Sequence, residues 1–137
     1  MGDFMTRTIL IVDDSPSIRQ LVGYTLRDAG YHVIEAADGL EGLEQAQACR
    51  LDLVITDIDL PMLDGLELVR TLRACVNYAR TPILLLTTES TVEMKRRAKA
   101  LGATGWLGKP FDPKALVRVV QQVAGRPEVA HVSDRRG

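Results

Sequence analysis

The residues predict an α/β chain, a parallel sheet of five strands doubly wound with helices on both of its faces. Three observations carry that expectation. The strongest apolar runs, Ile9 to Val12, Leu53 to Ile55 and Ile83 to Leu86, are continuous rather than alternating, as in strands covered on both sides. Segments of helical periodicity separate those runs. Capping residues open the helical segments, and two of the caps precede a proline, which suits the first turn of a helix.

Each element follows in order. After the first strand, Ser15 caps a helix that begins at Pro16. Ile18, Leu21, Val22, Thr25, Leu26 and Ala29 recur along it at helical spacing, and Gly30 stops it. His32 to Ala36 is a weaker second strand. Asp38 opens a second helix with Leu40, Leu43 and Ala46 on its apolar side. The third strand leads to a third helix, opened by Asp64 and carrying Leu68, Val69 and Leu72 inward. After the fourth strand, a helix is expected to start near Ser90, to show Met94, Ala98 and Leu101, and to end at Gly102. Gly105 to Leu107 is the weak fifth strand. Asp112-Pro113 repeats the cap-then-proline signal for a last helix, which buries Leu116, Val119, Val120 and Val123. Five strand-then-helix units imply right-handed crossovers. One domain is expected over residues 6–124. Residues 125–137 lose the periodicity and read as a flexible C-terminal tail. No internal repeat and no second domain are expected.

Composition narrows the function. With 137 residues, 46% of them hydrophobic and 26% charged, the chain suits one globular domain. A net charge of −1 supplies no bulk basic field for nucleic acid or an anionic membrane. Its apolar runs are too short to span a bilayer, and no secretory signal opens the chain. A cytoplasmic protein is therefore expected, with no nucleic-acid or membrane partner. Met1 to Thr6 formally fits an N-myristoylation pattern, but so short a pattern recurs by chance and Asp3 sits badly beside a lipid. Cys49 and Cys75 fall at the ends of different helices and read as free thiols. His32 and His131 are far apart and suggest no zinc site.

Acidic residues gather where strands end. Asp13 and Asp14 follow the first strand, and Asp57 closes the third. In an open parallel sheet, ligands bind beyond the carboxyl ends of the strands, where strand order reverses. If strands one and three are neighbours there, three carboxylates converge and repel one another unless a divalent cation intervenes. Oxygen-only ligands point to Mg²⁺. Thr87 follows the fourth strand and Lys109 the fifth, on the same rim. A hydroxyl and an ammonium facing a metal-bound carboxylate make a pocket for a phosphoryl group. The carboxylate then serves as the nucleophile, with metal and lysine neutralising the transferring oxygens.

Residues 8–124 resemble a receiver domain of the two-component response regulators, most closely the single-domain chemotaxis type. The resemblance rests on Asp13-Asp14, on Asp57-Ile58-Asp59-Leu60-Pro61-Met62 with Asp64-Gly65, and on Thr87 and Lys109-Pro110, in that order. It implies a flavodoxin-like sheet of strand order 2-1-3-4-5, an order the general rule for such folds already takes from this family. It implies Asp57 as phosphoacceptor, Asp13 and Asp14 as Mg²⁺ ligands, and a backbone carbonyl of Asp59 on the metal. Lys109 would pair with the phosphoryl oxygens, Thr87 would hydrogen-bond them, and Trp106 falls where the family has its switch aromatic. Lys109-Pro110 resembles the family's cis peptide. A histidine kinase is the implied phosphodonor. The implied output surface is the fourth helix, fifth strand and fifth helix, which would bind a separate target protein, in chemotaxis or motility. Turnover would be limited to self-phosphorylation and self-dephosphorylation, so the chain is not expected to be an enzyme. It departs from the commoner pattern at Trp106, where Tyr or Phe is usual, and at Asp59 and Glu89, which flank the water path with negative charge. Lys95, Arg96, Arg97 and Lys99 on the fourth helix would suit an acidic partner.

Two other readings use the same residues. A haloacid-dehalogenase-type phosphatase also employs an Asp nucleophile, a Thr or Ser, a Lys and Mg²⁺. Its paired acids follow the Lys, however, and its nucleophile lies on the first strand, whereas Asp13-Asp14 come first here and Asp57 closes the third. Pro61 also stands where that motif expects Thr or Val. The other reading is a receiver-like adaptor that is never phosphorylated; retention of the whole constellation argues against it.

Overall fold

The computed structural model describes residues 7–127. Residues 1–6 and 128–137 lie outside the described residues, and with them the acylation-like pattern and most of the expected tail. Five strands form one parallel sheet: β1 (Thr8–Val12), β2 (His32–Ala36), β3 (Leu53–Thr56), β4 (Ile83–Thr87) and β5 (Gly105–Gly108). Their spatial order is β2-β1-β3-β4-β5. The helices are α1 (Pro16–Asp28), α2 (Gly39–Ala48), α3 (Gly65–Arg73), α4 (Val92–Leu101) and α5 (Pro113–Ala124), with a short 3₁₀ turn at Val76–Tyr78. No described helix is long and apolar enough to cross a membrane.

Alternation along the strands divides the core into two layers. Leu10, Val12 and Val54 face Leu68, Val69 and Leu72 of α3, with Ala46 of α2 and Ala98 of α4. Ile9, Ile11, Leu53, Ile55, Leu84 and Leu86 face Val22 and Leu26 of α1 and Leu116 and Val120 of α5. Continuous apolar runs serve both layers at once, which is why β1, β3 and β4 show no polar alternation.

Capping follows the sequence at four helices: the side chains of Ser15, Asp38, Asp64 and Asp112 accept from the backbone N–H three residues on. At α4, expected to start near Ser90, the cap is the next residue, Thr91, whose hydroxyl accepts from Met94 N–H. Two leucines of the helical patterns are exposed, Leu21 at 46% and Leu40 at 43%. Leu21 lies about 140° around α1 from the fully buried Leu26, so both cannot face the sheet. Arg73, which carried no signal in the sequence, ties three connections together. Its guanidinium donates to the carbonyls of Gly102 at 2.9 Å, Tyr78 at 2.7 Å and Thr81 at 2.7 Å.

Candidate functional site

The register places the acidic turns side by side. Val12 pairs with Thr56 as the last partners of β1 and β3, so Asp13 and Asp57 are the next residue on neighbouring strands. Asp57 N–H donates to Val12 carbonyl at 3.0 Å, and Asp13 N–H to Ala36 carbonyl at 3.1 Å. On the other flank Thr87 pairs with Gly108, and Lys109 N–H donates to the Thr87 carbonyl at 3.1 Å. The Lys109-Pro110 peptide is cis. Asp13, Asp57, Thr87 and Lys109 therefore stand on the carboxyl edge of the sheet, the two acids at the point where β1 is flanked by β2 and β3.

Lys109 closes the group. Its Nζ lies 2.6 Å from Asp13 Oδ2 and 2.8 Å from Asp57 Oδ2. Burial alone would lower the Lys109 pKa, but the hydrogen bonds and charges of Asp13 and Asp57 outweigh it and raise it above the ordinary lysine value. Asp57 Oδ1 accepts from Ile58 N–H at 2.6 Å and lies 3.4 Å from Asp59 N. Asp13 Oδ1 accepts from Ser15 N–H at 2.9 Å. Asp13 and Asp57 are buried, whereas Asp14 is exposed. One carboxylate oxygen from each of Asp13, Asp14 and Asp57 lies within 4.8 Å of the other two.

The loop between β3 and α3 is seated by close backbone approach. A Cβ on Gly65 would come within 2.0 Å of the Asp57 carbonyl oxygen, and one on Gly39 within 1.7 Å of the Leu63 carbonyl oxygen. Gly65 N–H donates to the Ile58 carbonyl at 2.8 Å. Met62, at the loop's exposed tip, has φ 72°, a left-handed conformation that side-chain residues adopt at a cost.

Thr87 is fully buried, and its Oγ1 accepts from Glu89 N–H at 3.2 Å. Trp106 pairs with Leu85 across the β4–β5 ladder. It is half-buried, its indole N–H has no partner among the described residues, and Lys95 Nζ stands 5.9 Å from its ring centroid. Asp59 and Glu89 border the group, Asp59 exposed and Glu89 partly so. Sequence reasoning missed the backbone N–H groups of Ser15 and Ile58, because every non-proline residue carries one and only the fold aims it. Gly65 it noted within the Asp64-Gly65 pair of the family pattern, with no role of its own.

The donor set fits a hard divalent cation. All the ligand atoms are oxygens, Asp14 takes no hydrogen bond from the described residues, and one lysine bridges two of the three carboxylates. The charge sum of that cluster is negative even with the ammonium in place, which favours a cation such as Mg²⁺ with its retained waters.

The family model for the response regulator receiver domain matches residues 9–121. Chemotaxis protein CheY4 of Vibrio cholerae is 50% identical, with a TM-score of 0.84 over 87% of this chain and 99% of that one. The receiver domain of sensor histidine kinase PA1611 from Pseudomonas aeruginosa, solved with magnesium in its active-site cleft, is 33% identical, with a TM-score of 0.81 over 88% of this chain and 99% of that one. Among curated proteins, the Bacillus subtilis alkaline phosphatase synthesis transcriptional regulatory protein PhoP is 39% identical over 92% of this chain and 52% of its own length. The chain spans about half the length of the curated relatives it matches. With the strand order, the acidic rim and the matched span in agreement, this chain belongs to the receiver domain family of two-component response regulators.

Proposed function

We propose that Asp57 accepts a phosphoryl group from a histidine kinase, and that the modified domain presents an altered α4–β5–α5 face to a target protein. The observation that carries this reading is the Lys109 ammonium bridging Asp13 and Asp57 beside the exposed carboxylate of Asp14. Asp13, Asp14, Asp57 and the Asp59 backbone carbonyl would hold Mg²⁺, which would offset the negative charge of the incoming phosphoryl oxygens when bound. A carboxylate oxygen of Asp57 attacks phosphorus, the bond to the donor nitrogen or oxygen breaks, and the donor leaves with the electron pair. Lys109 turns from the carboxylates to the phosphoryl oxygens. The Thr87 hydroxyl then donates to the same group, and Trp106 follows into the space that Thr87 vacates. On the output face, Lys95, Arg97 and Lys99 are exposed, while Arg96 pairs with Glu93 at 3.1 Å; such a surface suits an acidic partner. The catalytic demand is confined to a single transfer and its hydrolysis, and the setting is the cytoplasm.

Similarity to the Vibrio chemotaxis protein supports a role in chemotaxis or motility. The transcriptional regulators among the relatives support a second output, control of transcription. Swimming behaviour and transcript levels in a strain carrying Asp57→Asn separate the two. The biochemical test uses acetyl phosphate and Mg²⁺ with mass spectrometry. The wild type is expected to gain one phosphoryl group and Asp57→Asn none. A wild type that gains none, beside an authentic receiver that does, ends the proposal.

A further inference from the structure

Arg19 lies outside the acidic group, yet it reaches into the turn that carries Asp13 and Asp14. Its Nη1 donates to the Asp13 backbone carbonyl at 2.7 Å, and its Nε stands 3.6 Å from Glu35 Oε1 on β2. Glu35 Oε2 also holds Arg27 Nη1 at 3.2 Å, and Arg27 Nη2 donates to the Val33 carbonyl at 3.2 Å. The chain of contacts thus runs from the β2 edge to the peptide joining Asp13 to Asp14. A peptide unit is planar, so fixing its carbonyl also fixes the bond from which Asp14 departs. Asp13 has further anchors in Ser15 N–H and Lys109 Nζ. Asp14 accepts no hydrogen bond from the described residues, so the plane of this peptide is the handle on its direction. Arg19 is also well shielded, with 19% of its side chain exposed, and partly neutralised by Glu35, itself 28% exposed.

We propose that Arg19 is a positioning residue for the cation site, aiming the Asp14 carboxylate by clamping the Asp13–Asp14 peptide, with Glu35 and Arg27 as its support. This rests on the reading of Asp13, Asp14 and Asp57 as a Mg²⁺ site. Partners in the layer behind metal ligands set affinity by orientation. A cation near a cation site has the opposite Coulombic effect, so removing it would by charge alone tighten Mg²⁺. The direction of change therefore separates the two.

The test titrates MgCl₂ into the full chain by calorimetry, for wild type, Arg19→Gln and Arg19→Lys, with a thermal melt of each metal-free protein. Arg19→Gln is expected to weaken Mg²⁺ binding by roughly tenfold. Arg19→Lys, which keeps the charge but loses the two-pronged donor, is expected to recover only part of it. Tighter binding by Arg19→Gln overturns the proposal in favour of simple charge. An unchanged affinity with a lowered melting temperature overturns it in favour of a purely structural arginine. Failure of the wild type to bind Mg²⁺ is a different result: it removes the metal site itself, and this inference with it.

Discussion

Lys109 is the residue on which the charge of the site balances. Three carboxylates within 4.8 Å of one another would repel strongly without its ammonium, which touches two of them at 2.6 Å and 2.8 Å. The same ammonium competes with a metal for those oxygens. Lys109→Met is therefore expected to bind Mg²⁺ more tightly, by about tenfold for the loss of one nearby positive charge. Phosphoryl uptake should slow in the same variant, because the charge that would steady the transferring oxygens is gone. Calorimetry with MgCl₂ and the rate of labelling by acetyl phosphate measure the two effects; a fall in both would sink this account of the lysine. Gly65 matters for a steric reason at the next shell. A methyl group there meets the Asp57 carbonyl at 2.0 Å, so Gly65→Ala must shift the turn after β3 or the start of α3. A loss of roughly 1–3 kcal/mol is expected, read by chemical denaturation.

At the level of elements, the helices differ in how they are held. α3 buries Leu66, Leu68, Val69 and Leu72, whereas α4 buries only Ala98 fully. What fixes the α4–β5 connection is Arg73, from α3, through Gly102 carbonyl and a weaker 3.4 Å contact to Thr104 Oγ1. Removing it strands three partly buried carbonyls without donors. Arg73→Ala is expected to cost about 2–3 kcal/mol, and Arg73→Lys to restore only a fraction, since an ammonium cannot span all three acceptors. Denaturant midpoints for the three proteins decide this. Helix caps, by contrast, were readable from local sequence, because a Ser, Thr or Asp side chain needs only the N–H three residues ahead. At α4 the sequence placed the start only near Ser90; Ser90 and Thr91 both qualify as caps by type, and the backbone turn selects Thr91.

Across the whole molecule, two tyrosines join distant segments. Tyr31 donates to the Gly125 carbonyl at 2.7 Å, and the Tyr78 hydroxyl, with one proton to donate, lies 2.6 Å from the carbonyls of both Ala46 and Cys49. Burial raises both hydroxyls above the ordinary value of 10.0, more than Arg7 and Arg126 lower Tyr31. The folded state thus holds these protons more tightly than the unfolded chain does. Their contribution is complete below about pH 10 and is lost as pH rises through the folded values. Melting temperature is expected to fall above that point, and Tyr78→Phe to show a shallower fall; an equally steep limb in both proteins would exclude Tyr78 as a cause. The residues of each element, and the acids and lysine at the strand ends, were legible from the chain because apolar runs, periodicity and caps depend on neighbours a few positions apart. The strand order could be anticipated only through resemblance to a family. What folding alone supplied are contacts between segments remote in sequence, such as Lys109 on Asp13 across 96 positions, Gly65 beneath Asp57, Arg73 across three loops and Arg19 against the acidic turn. Distances of that kind follow from strand register and helix packing, which arise from the summed burial of the core and leave no mark on any local pattern.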